Sequence, residues 1–207
     1  YHNGPATFTN NCGSITVTFT VVDASGNFDT ATATYTIIDT TPPVLVGVPA
    51  NVMIDCDDPI PAVATVTAND NCAVGLVPAF SQTNSKSTDS TSCNYYDYTI
   101  VRTWTVTDGC GNPVTQSQSI NIEDAGQPTF DIPADTTVNC GTPIDTIALG
   151  TYSNVSDNCS TVLNISMADV VNNGTCPQER TILRTWTVAD PCLNSVSKTQ
   201  SITVQDT

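Results

Sequence analysis

Three stretches of this chain repeat one another, and that repetition limits its fold more than any other feature. They read Ile15-Thr-Val-Thr-Phe-Thr-Val-Val-Asp-Ala-Ser-Gly-Asn27, Ile100-Val-Arg-Thr-Trp-Thr-Val-Thr-Asp-Gly-Cys-Gly-Asn112 and Ile182-Leu-Arg-Thr-Trp-Thr-Val-Ala-Asp-Pro-Cys-Leu-Asn194. Each is followed by an alternating segment that closes on an aspartate, at Asp39, Asp124 and Asp206. The period is 82–85 residues. Two full repeats, 44–127 and 128–207, therefore follow the C-terminal part of an incomplete one, 1–43. The expectation is a stretch of a longer array, or a first unit completed by a neighbouring molecule.

Within a repeat the hydrophobic period is two. Ile100, Arg102, Trp104 and Val106 share one face and Val101, Thr103, Thr105 and Thr107 the other, as in a strand with one face on a core. Asp-x-x-Gly-Asn then supplies a tight turn, and Gln118, Ile120 and Ile122 return along the apolar side. Short strands, frequent turns and no helical periodicity predict an all-β fold: tandem Ig-like β-sandwich domains, disulfide-stapled and joined by short Pro-containing linkers at Pro42-Pro43 and Gln127-Pro128. Arg102 and Arg184 fall on the apolar face beside Trp104 and Trp186, and are expected to stack on the indole or pair with a carboxylate.

Charge narrows the partners. Among 207 residues, 20 are acidic and 5 basic, for a net charge of −15. Phosphate neutralisation needs Lys and Arg, so nucleic acid and anionic membrane surfaces are poor partners. No apolar run is long enough for membrane insertion as a helix. Catalysis has little to rest on, and no enzyme is expected: His2 is the single histidine, and Asp55, Asp57 and Asp58 have no counterparts at Asn139, Gly141 and Thr142.

Nine cysteines with no C-x-x-C pair exclude a zinc ribbon and predict disulfides formed in an oxidising, extracellular or cell-surface setting. Each full repeat holds four. Sandwich geometry, which gathers turns at two poles, predicts Cys72–Cys110, Cys56–Cys93, Cys159–Cys192 and Cys140–Cys176. Cys12 then lacks a partner. The same geometry gathers Asp39, Asp70 and Asp108, and one period later Asp124, Asp157 and Asp190. Hard oxygen ligands converging in this way suit Ca²⁺, although Asp also serves turns without any metal. No cofactor is required by this reading, and calcium is the candidate. Thr30, Thr40, Ser90, Thr136 and Thr146 follow Asp in Asp-Ser/Thr-x sequences and are candidate glycosylation sites.

Asp70-Asn-Cys72, Arg102-Thr-Trp-Thr-Val-Thr-Asp-Gly-Cys-Gly-Asn112 and Ile38-Asp-Thr-Thr-Pro-Pro-Val44 together resemble the HYR-like, immunoglobulin-type tandem repeats of large Bacteroidota surface proteins, including gliding-type adhesins. The third repeat departs at Asp190-Pro-Cys-Leu-Asn194 and Ala125-Gly-Gln-Pro128. Among Bacteroidota the Asp-Ser/Thr sequences resemble O-glycosylation sites. The resemblance implies secretion, surface display, and a stalk or filament role with self-association. A carbohydrate- or protein-binding module, such as an accessory region of a secreted enzyme, is the alternative. Its candidate platform is Tyr95, Tyr96 and Tyr98, and its partner would be a surface glycan or protein ligand.

Overall fold

A computed structural model describes residues 12–174 and 178–206. The fold is all-β. In chain order the strands are β1 (Gly13–Val22), β2 (Phe28–Ile37), β3 (Val44–Val46), β4 (Val52–Asp55), β5 (Thr67–Asn69), β6 (Ala79–Asn84), β7 (Tyr98–Thr107) and β8 (Pro113–Glu123). There follow β9 (Thr129–Asp131), β10 (Thr136–Asn139), one helical turn α1 (Thr146–Leu149), β11 (Ser153–Ser156), β12 (Asn164–Asn173), β13 (Arg180–Ala189) and β14 (Ser195–Gln205).

Two four-stranded sheets have the same order of strands, β4-β8-β7-β6 and β10-β14-β13-β12, and each is accompanied by a two-stranded sheet, β3-β5 or β11-β9. β1 and β2 form a hairpin of their own. By contacts the chain divides into two compact units. One comprises the described residues of 1–51, 61–83 and 101–119, the other those of 52–60, 84–100 and 120–207. The division runs through β7 and β8, not along the repeat limits.

Alternation decides which side chains are buried. In β13 the inward residues are Ile182, Arg184, Trp186 and Val188, and β7 repeats the pattern with Ile100, Arg102, Trp104 and Val106. In the first unit Trp104 and Val106 pack on Leu45 and Val66 from the facing sheet. In the second, Trp186 and Val188 pack on Phe130, with Val155 and Ile165 around them. Two layers of sheet thus enclose each of these cores. On the outer faces hydroxyls pair across the strands, as in Thr103 with Ser117 and Thr185 with Thr199 (3.0 and 2.8 Å).

Both inward arginines are buried rather than reaching for solvent. Arg184 forms a bidentate pair with Asp169 (2.9 and 2.8 Å), its guanidinium 5.9 Å from the Trp186 ring. That pairing lowers the Asp169 carboxyl below its ordinary value. Among the described residues no carboxylate forms an ion pair with Arg102. It donates to the carbonyls of Ala62 (3.1 Å) and Pro61 (2.8 Å) and to Gln82 (3.0 Å). One planar guanidinium thus meets two different surroundings, with the Nη1 of Arg184 left buried and unpartnered.

The disulfides depart from expectation. The structure joins Cys12 to Cys110, Cys56 to Cys159 and Cys93 to Cys192, with Cα–Cα distances of 5.7, 5.8 and 4.5 Å. These bonds replace the expected Cys72–Cys110, Cys56–Cys93 and Cys159–Cys192, and Cys12 has a partner after all. The physical reason is proximity. Cys110 and Cys192 sit on the β7–β8 and β13–β14 turns, and the nearest sulfur to each belongs to the preceding sequence repeat. Cys72 and Cys140 take no part in these three bonds. The expected Cys140–Cys176 pair involves a residue outside those described, as does His2.

Candidate metal centres

The turn after β7 begins at Asp108, whose Oδ1 accepts from the backbone N–H of Cys110 (2.9 Å) and Asn112 (2.8 Å). Its Oδ2 accepts from the Asn112 side chain (2.7 Å). These bonds hold the Asp108 carboxyl below its usual value, chiefly through Asn112. Asn112 also donates to the backbone carbonyl of Asp39 (3.0 Å), so the turn grips the aspartate that follows β2. Asp39 turns one oxygen to the N–H of Thr41 (3.0 Å), and its Oδ2 is buried with no hydrogen-bond partner in the protein. Asp70 behaves alike: Oδ1 accepts from Cys72 and Ala73 (2.9 and 2.7 Å) while Oδ2 is buried and unpartnered. Oxygens of Asp39 and Asp108 and the Cys110 sulfur lie within 4.8 Å of one another. The Cys72 sulfur is pushed up in pKa, first by burial and then by the charges of Asp39, Asp70 and Asp108. The Cys72 thiol thus feels all three carboxylates.

The second unit builds the same arrangement. Asp190 accepts from Asn194 N–H and from its side chain (both 2.9 Å), and Asn194 donates to the carbonyl of Asp124 (2.8 Å). Asp157 uses Oδ1 for the N–H groups of Cys159 and Ser160 (3.0 and 2.8 Å), leaving Oδ2 buried and unpartnered. Both side-chain oxygens of Asp124 are buried without a hydrogen bond of ordinary geometry, although the Gly126 N–H lies near enough to favour the charged form. Oxygens of Asp124 and Asp157 lie within 4.8 Å of each other and of the Cys159 sulfur. Burial, then repulsion from Asp157 and Asp190, pushes the Asp124 carboxyl up to about 6.

Buried carboxylate oxygens without donors are costly. Here they recur at matching positions of two centres, which gives them a chemical meaning: a cation would supply the missing partner. The donor set is carboxylate oxygen. Cys110 and Cys159 are disulfide-bonded and offer no thiolate, so the centres suit a hard divalent ion rather than zinc. Three carboxylates supply part of the six to eight oxygens that Ca²⁺ takes. The orphaned oxygens were not legible in the sequence, because which side of each carboxylate a turn N–H occupies depends on turn geometry.

Other candidate residues are less engaged. Thr30, Thr40 and Ser90 are exposed, whereas Thr136 and Thr146 are half-buried. Asp145, before Thr146, caps α1 by accepting from Ile147 and Ala148 N–H (3.0 and 2.8 Å). Tyr95 and Tyr96 pack edge to face at 4.9 Å, and the Lys86 ammonium lies over the rings of Tyr95 (4.2 Å) and Tyr98 (5.0 Å). Tyr96 is buried, and Tyr95 and Tyr98 are half-buried. Asp55 accepts from the Asn158 side chain (3.0 Å), a structural role. Among the described residues no helix is long and apolar enough to cross a membrane.

No family model matches the chain, and no curated protein matches it. Among solved structures it is similar to extracellular cadherin domains 1–4 of protocadherin gamma B7, at 11% identity and a TM-score of 0.39, covering 95% of this chain and 58% of that one. It is also similar to EC1-3 of mouse protocadherin-24, at 14% identity and a TM-score of 0.31, covering 96% and 81%. The chain thus spans little more than half of the gamma B7 structure. Likenesses this weak define neither family nor function. The fold and its centres define a class from within: a disulfide-bonded β-sandwich protein with repeated acidic centres.

Proposed function

We propose that this chain is a structural segment of a long extracellular tandem-repeat surface adhesin or filament protein of the HYR-like type, with repeats at 44–127 and 128–207 and the end of another at 1–43. The observation that carries this reading is the disulfide pattern. Each bond spans 98, 103 or 99 residues, more than one repeat period, so it joins one sequence repeat to the next. Each bond also lies inside one compact unit, Cys12–Cys110 in the first and Cys56–Cys159 and Cys93–Cys192 in the second. Each folded body is thus stapled from parts of two sequence repeats, an interleaving that suits a continuous array more than separate modules. Closing loops of about 100 residues contributes up to about 4–5 kcal/mol each in the chain-entropy account. Disulfides also fit an oxidising, extracellular compartment.

In this reading Ca²⁺ is held by Asp39, Asp70 and Asp108 and, independently, by Asp124, Asp157 and Asp190. The ion would neutralise converging carboxylates and fix the turn of one repeat to the aspartate that ends the one before it. Thr30, Thr40 and Ser90 are the exposed candidates for glycan attachment.

Non-reducing peptide mapping of secreted protein, followed by force spectroscopy with and without reductant, tests the reading. The expected result is a Cys56–Cys159 and a Cys93–Cys192 peptide, and contour lengths shortened by the closed loops until reductant is added. Cys56–Cys93 and Cys159–Cys192 peptides would overturn it.

A further inference from the structure

Two disulfides that are not equivalent in sequence end at two centres that are. Cys110, bonded to Cys12, lies on the β7–β8 turn, and Cys159, bonded to Cys56, lies between β11 and β12. Yet the Cys110 sulfur is within 4.8 Å of oxygens of Asp39 and Asp108, and the Cys159 sulfur within 4.8 Å of oxygens of Asp124 and Asp157. Each cysteine also gives its backbone N–H to a carboxylate of its centre, Cys110 to Asp108 (2.9 Å) and Cys159 to Asp157 (3.0 Å). The Cys159 sulfur stands 3.5 Å from Asp55 Oδ1 as well. A disulfide sulfur carries no hydrogen and gives nothing to the oxygens around it. The buried oxygens of Asp39, Asp124 and Asp157 that lack an ordinary hydrogen bond therefore stay lacking while the bonds are closed. A thiol in the same place carries an S–H donor. Cys72 shows what such a thiol does at the first centre: burial, then the charge and hydrogen bonding of Asp39, push its pKa up, so the sulfur keeps its hydrogen beside that carboxylate.

We propose that Cys12–Cys110 and Cys56–Cys159 are each coupled to the cation of the centre they border. Closed, the bond leaves the carboxylates in need of a positive partner; opened, it supplies S–H donors that compete with one. Reduction adds two electrons and two protons and turns the Cys56–Cys159 bond into two thiols, while a dithiol reductant such as dithiothreitol is oxidised to its cyclic disulfide. The new Cys159 thiol then faces Asp55, Asp124 and Asp157. Calcium is a hard ion and gains nothing from the sulfurs in exchange. By reciprocity, the factor by which reduction weakens the cation is the factor by which the cation protects the disulfide.

The coupling rests on calcium being held at Asp124, Asp157 and Asp190, and the two fail separately. Calorimetric titration of the intact protein with Ca²⁺ tests both, in an Asp39→Asn background that silences the first centre. Expected is a loss of about tenfold in affinity when dithiothreitol opens the disulfides. At saturating Ca²⁺ the ratio of reduced to oxidised dithiothreitol that opens Cys56–Cys159, followed by mass spectrometry of alkylated peptides, should rise by the same factor. Two variants separate the donor from the loss of the crosslink, whether or not the reduced protein stays folded. Cys56→Ala leaves a thiol at Cys159, and Cys56→Ala with Cys159→Ala leaves none; both lack this bond and keep Cys93–Cys192. The variant with the thiol should bind Ca²⁺ about fivefold more weakly or worse. Equal affinity in the two variants overturns the coupling, as does equal affinity of oxidised and reduced protein, and either result leaves the calcium centre standing. No Ca²⁺ binding by the oxidised protein removes the centre and the coupling together.

Discussion

Replacing Leu193 with glycine should stabilise the protein. Leu193 stands in the β13–β14 turn at φ 69°, where the matching turns have Gly26 at 86° and Gly111 at 95°. The turns are otherwise alike: the N–H of Gly26, Gly111 and Leu193 donates to the carbonyl of Asp23, Asp108 and Asp190 at 3.1, 3.4 and 3.2 Å. An L-residue held in the left-handed region costs about 1–2 kcal/mol. Leu193 recovers little of this by packing, being 82% exposed. Glycine removes the strain but loses more backbone entropy on folding, about 0.5–1 kcal/mol. The net gain is therefore about 0.5–1 kcal/mol, or roughly 1–4 °C in Tm for a chain this long. The reciprocal change, Gly111→Leu, meets no atom within 4 Å of its new Cβ, so the same backbone balance should appear with the opposite sign, a loss of about 0.5–1 kcal/mol. Differential scanning calorimetry on both variants, oxidised and chelated, measures the pair. If Leu193→Gly is neutral or destabilising while Gly111→Leu is neutral, the shared turn geometry is refuted, and with it the way Asp190 and Asn194 are aimed at Asp124.

The acidic centre of the second unit should make metal-free protein more stable at pH 5 than at pH 7.5. A carboxyl raised to about 6 binds a proton in the folded state before the unfolded state does, so stability rises as pH falls through 6 and levels off below about 4. Two pKa units correspond to about 3 kcal/mol, and solvent screening brings this to about 1–2 kcal/mol. Asp124→Asn should remove that slope, and Ca²⁺ should raise the wild-type Tm at pH 7.5 far more than at pH 5; a wild-type slope equal to the variant's refutes the assignment. Asp169→Ala should cost about 3–5 kcal/mol by stranding the buried Arg184, measured by chemical denaturation, whereas a loss below 1 kcal/mol would show that Arg184 finds solvent. Gly126→Ala should destabilise by about 1–2 kcal/mol, because a Cβ there falls 2.1 Å from Asn158 Oδ1 and 2.9 Å from its Cγ, displacing the side chain that bonds Asp55; its denaturant midpoint checks this.

The fold was largely legible because period-two alternation is a local property. The inward residues of β7 and β13 follow directly from the sequence, arginines included. The destination of those arginines was half legible: Arg184 meets a carboxylate, but nothing near Arg102 in sequence announces the carbonyls of Pro61 and Ala62. The departures of the third repeat also became intelligible only in three dimensions. Leu193 keeps the glycine conformation at a cost, and Gly126 replaces a linker threonine because Asn158 comes too close for a side chain.

The cysteines show where local reasoning ends. Placing Cys110 and Cys192 on tight turns was within reach of the sequence, but assigning partners required knowing whose sulfur lies nearest. The rule that sets of four pair among themselves treats a repeat as a closed body. Here the third cysteine of one repeat bonds the last of the next, twice, in Cys12–Cys110 and Cys93–Cys192, and the first bonds the second of the next in Cys56–Cys159. The acidic centres follow the same logic, since Asn112 and Asn194 each hold the carbonyl of an aspartate that closes the preceding repeat. Disulfide, hydrogen bond and carboxylate cluster all fall where one repeat gives way to the next. Yet each disulfide lies inside a single compact unit, Cys12–Cys110 in the first and the other two in the second, so the folded body is built from parts of two sequence repeats and its pairing cannot be read within one repeat taken alone.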